Sequence, residues 1–309
     1  MSIALQVALV MVTILVVLLV IGAPIGVAIG MSSAVSMICM IPADVSFATS
    51  AQRIFAGSNS FSLIAIPFFI LAGNIMNNGG IATRLVNCAK VISGRMPGAL
   101  AQSNVVANML FGAISGSGAA AAAAMGGTIG PLEEKEGYDK NYSTAVNVAS
   151  APVGMLIPPS NTMIVYSSVA GSVSIAALFM AGYIPGLLWG GAVMILAGIM
   201  AKKRGYQAEQ RVPVKVALKT FWQAIPSLLL IVIVIGGILG GIFTATEGSA
   251  IAVVYATVLS LIYKAFKIKD IPRIVLEAAK TTGIITFMIG LSSICLLYTS
   301  DAADEARSV

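Results

Sequence analysis

The sequence predicts an all-α polytopic membrane protein with an inverted-repeat, ion-transporter-like fold. It predicts a re-entrant helical hairpin and a broken helix in the first repeat, and an incomplete second repeat. Three observations point this way. Hydrophobic residues make up 58% of the chain and charged residues 10%, against about 25% charged in a soluble domain. The apolar residues gather into runs, several long enough for a helix to cross ~30 Å of hydrocarbon. Two stretches are interrupted by Ser/Gly and Pro motifs, which strand backbone groups that lipid cannot satisfy.

The elements follow in chain order. The N-terminal apolar run lacks a positive n-region and an A-x-A site, so residues 5–21 are expected to be a retained first span rather than a cleaved signal. A second span is expected at 25–41. Residues 42–60 mix Asp44, Gln52 and Arg53 with Val45, Phe47, Ile54 and Phe55, the pattern of a helix lying in the membrane interface. A third span follows at 61–76. Residues 81–92, with Arg84 and Lys90, are expected to lie in the interface as well.

Next come the two interrupted segments. Residues 97–131 carry Ser115-Gly116-Ser117-Gly118 between runs too short to span singly, which predicts a hairpin that enters, turns and leaves on one side. Residues 142–169 carry Pro152-Val153-Gly154 and then Pro158-Pro159-Ser160, which predicts a helix broken at membrane depth. Such breaks are tolerated only against protein or a wet cavity, and they are a common construction of ion and substrate sites in secondary transporters. Gly and Pro also serve simple close packing in membrane helices. Further spans are expected at 175–200, 224–243, 249–265 and 281–297.

Two Lys/Arg-rich loops, at 201–219 and at 264–280, are separated by two spans joined through the nearly neutral Thr244–Gly248 turn. Both loops can therefore be cytoplasmic, which places the hairpin's open end inside and the N-terminus outside. Glu247 in that turn reads as a scaffold or partner-facing residue. Glu133, Glu134 and Glu136, interleaved with Lys135, read as a solvated charge cluster. The net charge of +6 is accounted for by basic loops and needs no nucleic-acid partner. Histidine is absent, which excludes a His-dependent relay, metal site or triad within the chain. Cys39, Cys88 and Cys295 share no CxxC spacing and read as packing residues.

Hydropathy and element order repeat at an offset of about 220 residues with inverted direction, the signature of an inverted-topology repeat. The first copy covers residues 1–200, a basic cytoplasmic loop covers 201–221, and the second copy begins at 222–297. The interfacial segment 44–57 corresponds to 270–283, and the third span at 61–76 to 281–297. By that offset a second hairpin and broken helix would begin beyond Val309. The tail at 298–309 is abruptly polar and acidic and matches nothing in the first copy. The expectation is a truncated protein with a tail foreign to it, inactive alone.

Several segments carry a family resemblance: AQRIFAGSNSFSLIAIPFFILAGNIMNNGGIATRLV, FGAISGSGAAAAAAMGGTIGP, SAPVGMLIPPSNTMIVY, SIAALFMAGYIPGLLWG and GGIFTATEGSAIAVVYA. In this order they resemble the large membrane subunit of tripartite ATP-independent periplasmic (TRAP) transporters, from about residue 52 to 280. The resemblance implies a bacterial inner-membrane protein for Na⁺-coupled uptake of organic acid anions. It implies a periplasmic binding protein that delivers substrate, a small four-helix membrane subunit as brace, and an elevator mechanism with two hairpins. No cofactor is implied beyond Na⁺ as coupling ion. The sequence departs from the family in one place: many members carry an acidic residue shortly after the Ser-Gly-Ser tip, where this chain has alanines from Ala119 to Ala124.

With no carboxylate expected in the hairpin at membrane depth, a Na⁺ site must be built from carbonyl and hydroxyl oxygens. The tip, Ser115, Gly116, Ser117 and Gly118, can present them. So can an unwound Ala151, Pro152, Val153 and Gly154, because Pro152 lacks an N–H and frees a carbonyl. Ser117, Ser160 and Asn161 are the expected substrate contacts. Asn147, with Ser150 at i, i+3, can face the hairpin as a further contact or as a packing polar. Two other functions compete. A channel with a re-entrant Ser/Gly loop uses similar parts. An intramembrane hydrolase using Ser115 or Ser117 would lack a base to activate the serine.

Overall fold

The computed structural model describes residues 3–39, 41–171, 173–206 and 213–307. Part of the basic loop (207–212) and the last two residues of the polar tail lie outside them. In order, the helices are α1 (Ile3–Ile21), α2 (Ile25–Ile38), α3 (Ala43–Ser58), α4 (Ala65–Asn78, entered through a 3-10 turn at Phe61–Ile64), α5 (Ile81–Ser93), α6 (Ala99–Ser115) and α7 (Gly118–Thr128). They continue with α8 (Gly130–Lys135), α9 (Lys140–Ser150), α10 (Val153–Leu156), α11 (Asn161–Ala170), α12 (Ile175–Arg204), α13 (Val214–Leu239), α14 (Ala245–Ile262) and α15 (Ile271–Arg307). Among the described residues, five helical segments are long and apolar enough to cross a membrane, or six with the bent pair Lys140–Leu156 and Asn161–Ala170. The chain is an all-α, multi-pass membrane protein. By this measure α1 and α2 are shorter apolar helices. At ~1.5 Å per residue the 14 residues of α2 fall short of the hydrocarbon thickness.

Two compact units divide the chain, one reaching to Leu63 and resuming at Lys280, the other Ile64–Ala279. In the first, α2 packs on α1 and α3. Met37, Leu291 and Ile294 form its buried centre, with Ile41 and Ile54 against them. Phe47 and Phe55 on α3 are 63% and 69% exposed, the apolar face an interfacial helix would bury in lipid.

The second unit is assembled around α6. Fourteen of its residues are buried, including Leu100, Val105, Phe111 and Ile114. α5 and α10 pack on it, and α4 lies along α14. Ala101, Val105, Tyr142, Val146, Ala197 and Ala201 join α6, α9 and α12 in one apolar cluster. The outer face of α12 stays apolar and uncovered, with Ile184, Leu188 and Ile195 each about two-thirds exposed, as a lipid-facing helix requires.

Three expectations need correction. α5 buries Ile81, Leu85, Val86, Cys88 and Ala89 and packs that face on α6 and α13, so protein rather than the interface receives its apolar stripe. α13 begins at Val214, ten residues early, because nothing in 214–223 breaks a helix. The turn before α14 closes a capping box, with Thr244 and Glu247 bonding each other's backbone N–H. Glu247 thus has the expected scaffold role, as part of a helix cap. Finally, α15 runs unbroken for 37 residues, whereas its expected counterpart is interrupted at Asn59 and Ser60.

Candidate functional site

The first break is a tight turn between α6 and α7. Gly116 caps α6 at φ +62, a conformation that glycine adopts without steric cost. Ser117 then takes extended dihedrals (φ −134, ψ 116) and its Oγ accepts the Ala120 N–H at 3.3 Å. This is an N-cap, so a new helix starts with its positive end at the tip. The chain does reverse. Asn104, twelve residues before the tip, shares a cavity wall with Gly126, Gly130 and Glu133. The expected hairpin is thus formed by Ala99–Ser115 and Gly118–Thr128.

The second break falls at the later of its two expected motifs, Pro158-Pro159-Ser160, and not at Pro152-Val153-Gly154. Ala151 and Pro152 keep helical dihedrals, and Val153–Leu156 is helical. Pro152 sits at the cap of a helical turn, where its missing N–H costs nothing. The unwound residues are Ile157–Ser160, and the axis bends there by 48°. Ser160 is extended (φ −127, ψ 123). Its Oγ accepts the Met163 N–H and donates to the Met155 carbonyl. Carbonyl release at Ala151–Gly154 is therefore smaller than expected: Gly154 N–H donates to Ala151 O and Met155 N–H to Pro152 O.

The two breaks meet. Asn161 N–H donates to the Gly116 carbonyl at 3.2 Å, and its Nδ2 donates to the Ser115 carbonyl at 3.4 Å. Asn161 Oδ1 is buried without a hydrogen-bond partner, at a cost a bound cation or donor would relieve. α6 and α10 touch through two glycines. A Cβ on Gly112 would lie 2.1 Å from the Gly154 Cα, and a Cβ on Gly118 3.0 Å from the Ala151 oxygen. Ser115, Gly116, Gly118, Ala151, Gly154, Ser160 and Asn161 thus lie at or beside one junction. Ser160 is fully buried with its hydroxyl doubly engaged, whereas Ser117 is half-buried with one long bond.

Asn147 is not at this junction. Its Nδ2 donates to Ala122 O on α7, and its Oδ1 accepts from Asn108 on α6, at 2.9 and 3.0 Å. It ties α9 to both legs of the hairpin. Asn108 Nδ2 also lies within 3.0 Å of Asn104 Oδ1 and 2.8 Å of Ser150 Oγ, so a polar ladder climbs between α6 and α9 toward the second break. At its foot stands Glu133, which is only 1% exposed. The solvated-cluster reading fails for this residue. The fold of α8 under the hairpin buries it, while Glu134, Lys135 and Glu136 remain exposed. Burial lifts its carboxyl to about 6, against the opposing influence of Ser143 and Asn104. Asp139, the N-cap of α9, is held below its usual range by the Tyr142 N–H and by Arg204 at 3.1 Å.

Apolar spans, a helical hairpin and a bent helix that meet at their polar breaks define a class: multi-pass membrane proteins whose discontinuous helices line a site. The family described as "Tripartite ATP-independent periplasmic transporter, DctM component" matches residues 12–302. The chain belongs to this family. It is 50% identical over 261 residues to the uncharacterized protein YgiK of Salmonella typhimurium, covering 84% of this chain and 60% of that protein. It is 37% identical over 255 residues to the C4-dicarboxylate TRAP transporter large permease protein DctM of Rhodobacter capsulatus (78% and 58%). It is 38% identical over 245 residues to the sialic acid TRAP transporter large permease protein SiaM of Vibrio cholerae (78% and 56%). The chain spans less than two-thirds of the length of each of these relatives. Those with assigned functions are permeases, not enzymes.

Proposed function

We propose that the chain carries the first half of the transport site of a Na⁺-coupled importer of an organic acid anion. C4-dicarboxylates and sialic acid, named for two relatives, are both of this class. The junction of the hairpin tip with the second break is the Na⁺ site in this reading. The observation that carries it is Asn161: its two nitrogens hold the tip while Oδ1 stays buried and unpaired. Carbonyls at broken helices and a side-chain amide oxygen are suitable Na⁺ donors. No aspartate or glutamate lies between Ala99 and Pro131, so a neutral oxygen site suits a monovalent cation. The anion then meets the N-termini of α7 and α11, whose partial positive charge favours it. The half-buried Ser117 is its hydroxyl contact. Na⁺ in place stabilises the tip that the anion needs, and the coupling is reciprocal.

In the same reading the protein lies in the bacterial inner membrane with its N-terminus periplasmic. It works beside a small membrane subunit and a periplasmic binding protein, and moves its site by an elevator motion between two inverted repeats. The test is uptake in proteoliposomes by a permease carrying this sequence, with its small subunit and binding protein. Accumulation is expected under a Na⁺ gradient and lost by more than tenfold in Asn161→Leu. Undiminished uptake in Na⁺-free medium driven by a proton gradient contradicts the proposal.

A further inference from the structure

The foot of the hairpin holds a second polar site that the tip does not use. Glu133 belongs to α8, outside every candidate span. It lines a cavity of about 370 Å³ with Asn104 of α6 and Ser143 of α9. Glu133 Oε1, Asn104 Nδ2 and Ser143 Oγ are all buried without hydrogen-bond partners. Three elements therefore bring three buried polar atoms to one wall, with Ser143 and Asn104 close enough to act on the Glu133 carboxyl. Burying a carboxylate with no cationic partner is costly; here desolvation outweighs the help of Ser143 and Asn104, and the group answers by taking up a proton.

The charged surroundings offer no other remedy. α6 and α7 carry no titratable side chain. On α8 and its end, Glu134, Lys135 and Glu136 are exposed. On α9, Lys140 lines the cavity but is exposed, and Tyr142 is buried nearby. Tyr138 is also in the wall. Asp139 is paired with Arg204 of α12. Among the described residues no lysine or arginine pairs with Glu133.

We infer that Glu133 is a proton-binding site at the foot of the hairpin, and that its protonation favours closure of α8 against α6 and α9. Protonation removes the buried charge, which outweighs what the Ser143 and Asn104 donors give the anion. The sign follows from its raised carboxyl: the closed foot binds the proton more tightly than an open, hydrated one. Its contribution to closure is complete below 4.5, where the group titrates when unburied, and is lost as pH rises through about 6. The ladder from Asn104 through Asn108 to Asn147 and Ser150 joins this foot to the helix that leads into the second break.

The test is independent of transport. Hydrogen exchange of the full chain in lipid nanodiscs is measured at pH values on either side of 6, corrected for intrinsic exchange, in the wild type, Glu133→Gln and Glu134→Gln. In the wild type, protection of α8 and the start of α9 is expected to fall by about thirtyfold as pH rises through the one-proton step. Glu133→Gln, the neutral isostere, stays protected throughout, and Glu134→Gln follows the wild type. Infrared difference spectra of the wild type supply a readout without any variant: a buried protonated carboxyl must titrate near pH 6. No step, a step that persists in Glu133→Gln, or no buried carboxyl signal overturns the inference. A protection change that follows Na⁺ at fixed pH overturns it too, and makes the occupant a metal cation.

Discussion

The two breaks use one local device in opposite settings. Both end in a serine with extended dihedrals, Ser117 at φ −134 and Ser160 at φ −127, and each serine caps the helix that follows. The approach differs. At the tip a left-handed Gly116 reverses the chain in two residues, whereas the second break passes through two prolines and bends the axis by 48°. The settings differ more. Ser160 is sealed, with its hydroxyl bonded on both sides. Ser117 keeps part of its surface open, and its hydroxyl makes a single bond, from the Ala120 N–H at 3.3 Å. Helix capping alone explains Ser160. It leaves Ser117 free to exchange a partner, which is the property a substrate contact needs.

The contact that holds the two breaks together offers the largest effect. Gly112→Ala places a methyl 2.1 Å from the Gly154 Cα, against backbone that cannot yield locally. It is expected to cost about 3 kcal/mol, the upper end of overpacking effects, read as a lowered thermal midpoint in detergent. Gly127→Ala is the matched control. It meets nothing within 4 Å and should be neutral or stabilising by up to ~1 kcal/mol through helix propensity. Equal effects from the two would mean that α6 and α10 are not in close contact.

The serines separate the breaks at a smaller scale. Ser160→Ala removes a cap and leaves the Met155 carbonyl without that donor in a buried place, so about 2 kcal/mol is expected. Ser117→Ala, half-buried with a long cap bond, should cost under ~1 kcal/mol yet reduce uptake more than Ser160→Ala does relative to folded protein. A larger stability loss at Ser117 than at Ser160 would reverse the assignment of the two roles.

Much of this was legible in the sequence because breaks in apolar helices have few chemical causes. Gly116, Ser117, Pro158 and Pro159 marked both interruptions, and the spans between them fell close to the observed helices. Pro152 misled because a proline in a helical first turn breaks nothing, and only the dihedrals distinguish that placement from an unwound one. Glu133 was hidden among exposed neighbours of the same charge class. Its burial depends on where α8 lies under the hairpin, a tertiary fact that periodicity does not carry. Asn147 was rightly turned toward the hairpin, but its i, i+3 partner spacing could not tell which level of the hairpin it meets. Glu247 was legible as a scaffold residue from its place in the turn, and the T-x-x-E spacing specifies the cap. The unpaired Asn161 Oδ1 could not be read at all, since it exists only when the tip has taken both nitrogens.

That oxygen is the most direct point of test. Ligands that bind only the folded state raise its stability in proportion to RT ln(1 + [L]/Kd), so a Na⁺ site at the junction must register in unfolding without any transport assay. The thermal midpoint of the purified protein is followed as Na⁺ replaces K⁺ at constant ionic strength. A saturable rise with Na⁺ is expected, with none for K⁺ and loss of the rise in Asn161→Leu. A midpoint indifferent to the cation, or a Na⁺ response that survives Asn161→Leu unchanged, would contradict a Na⁺ site at the junction.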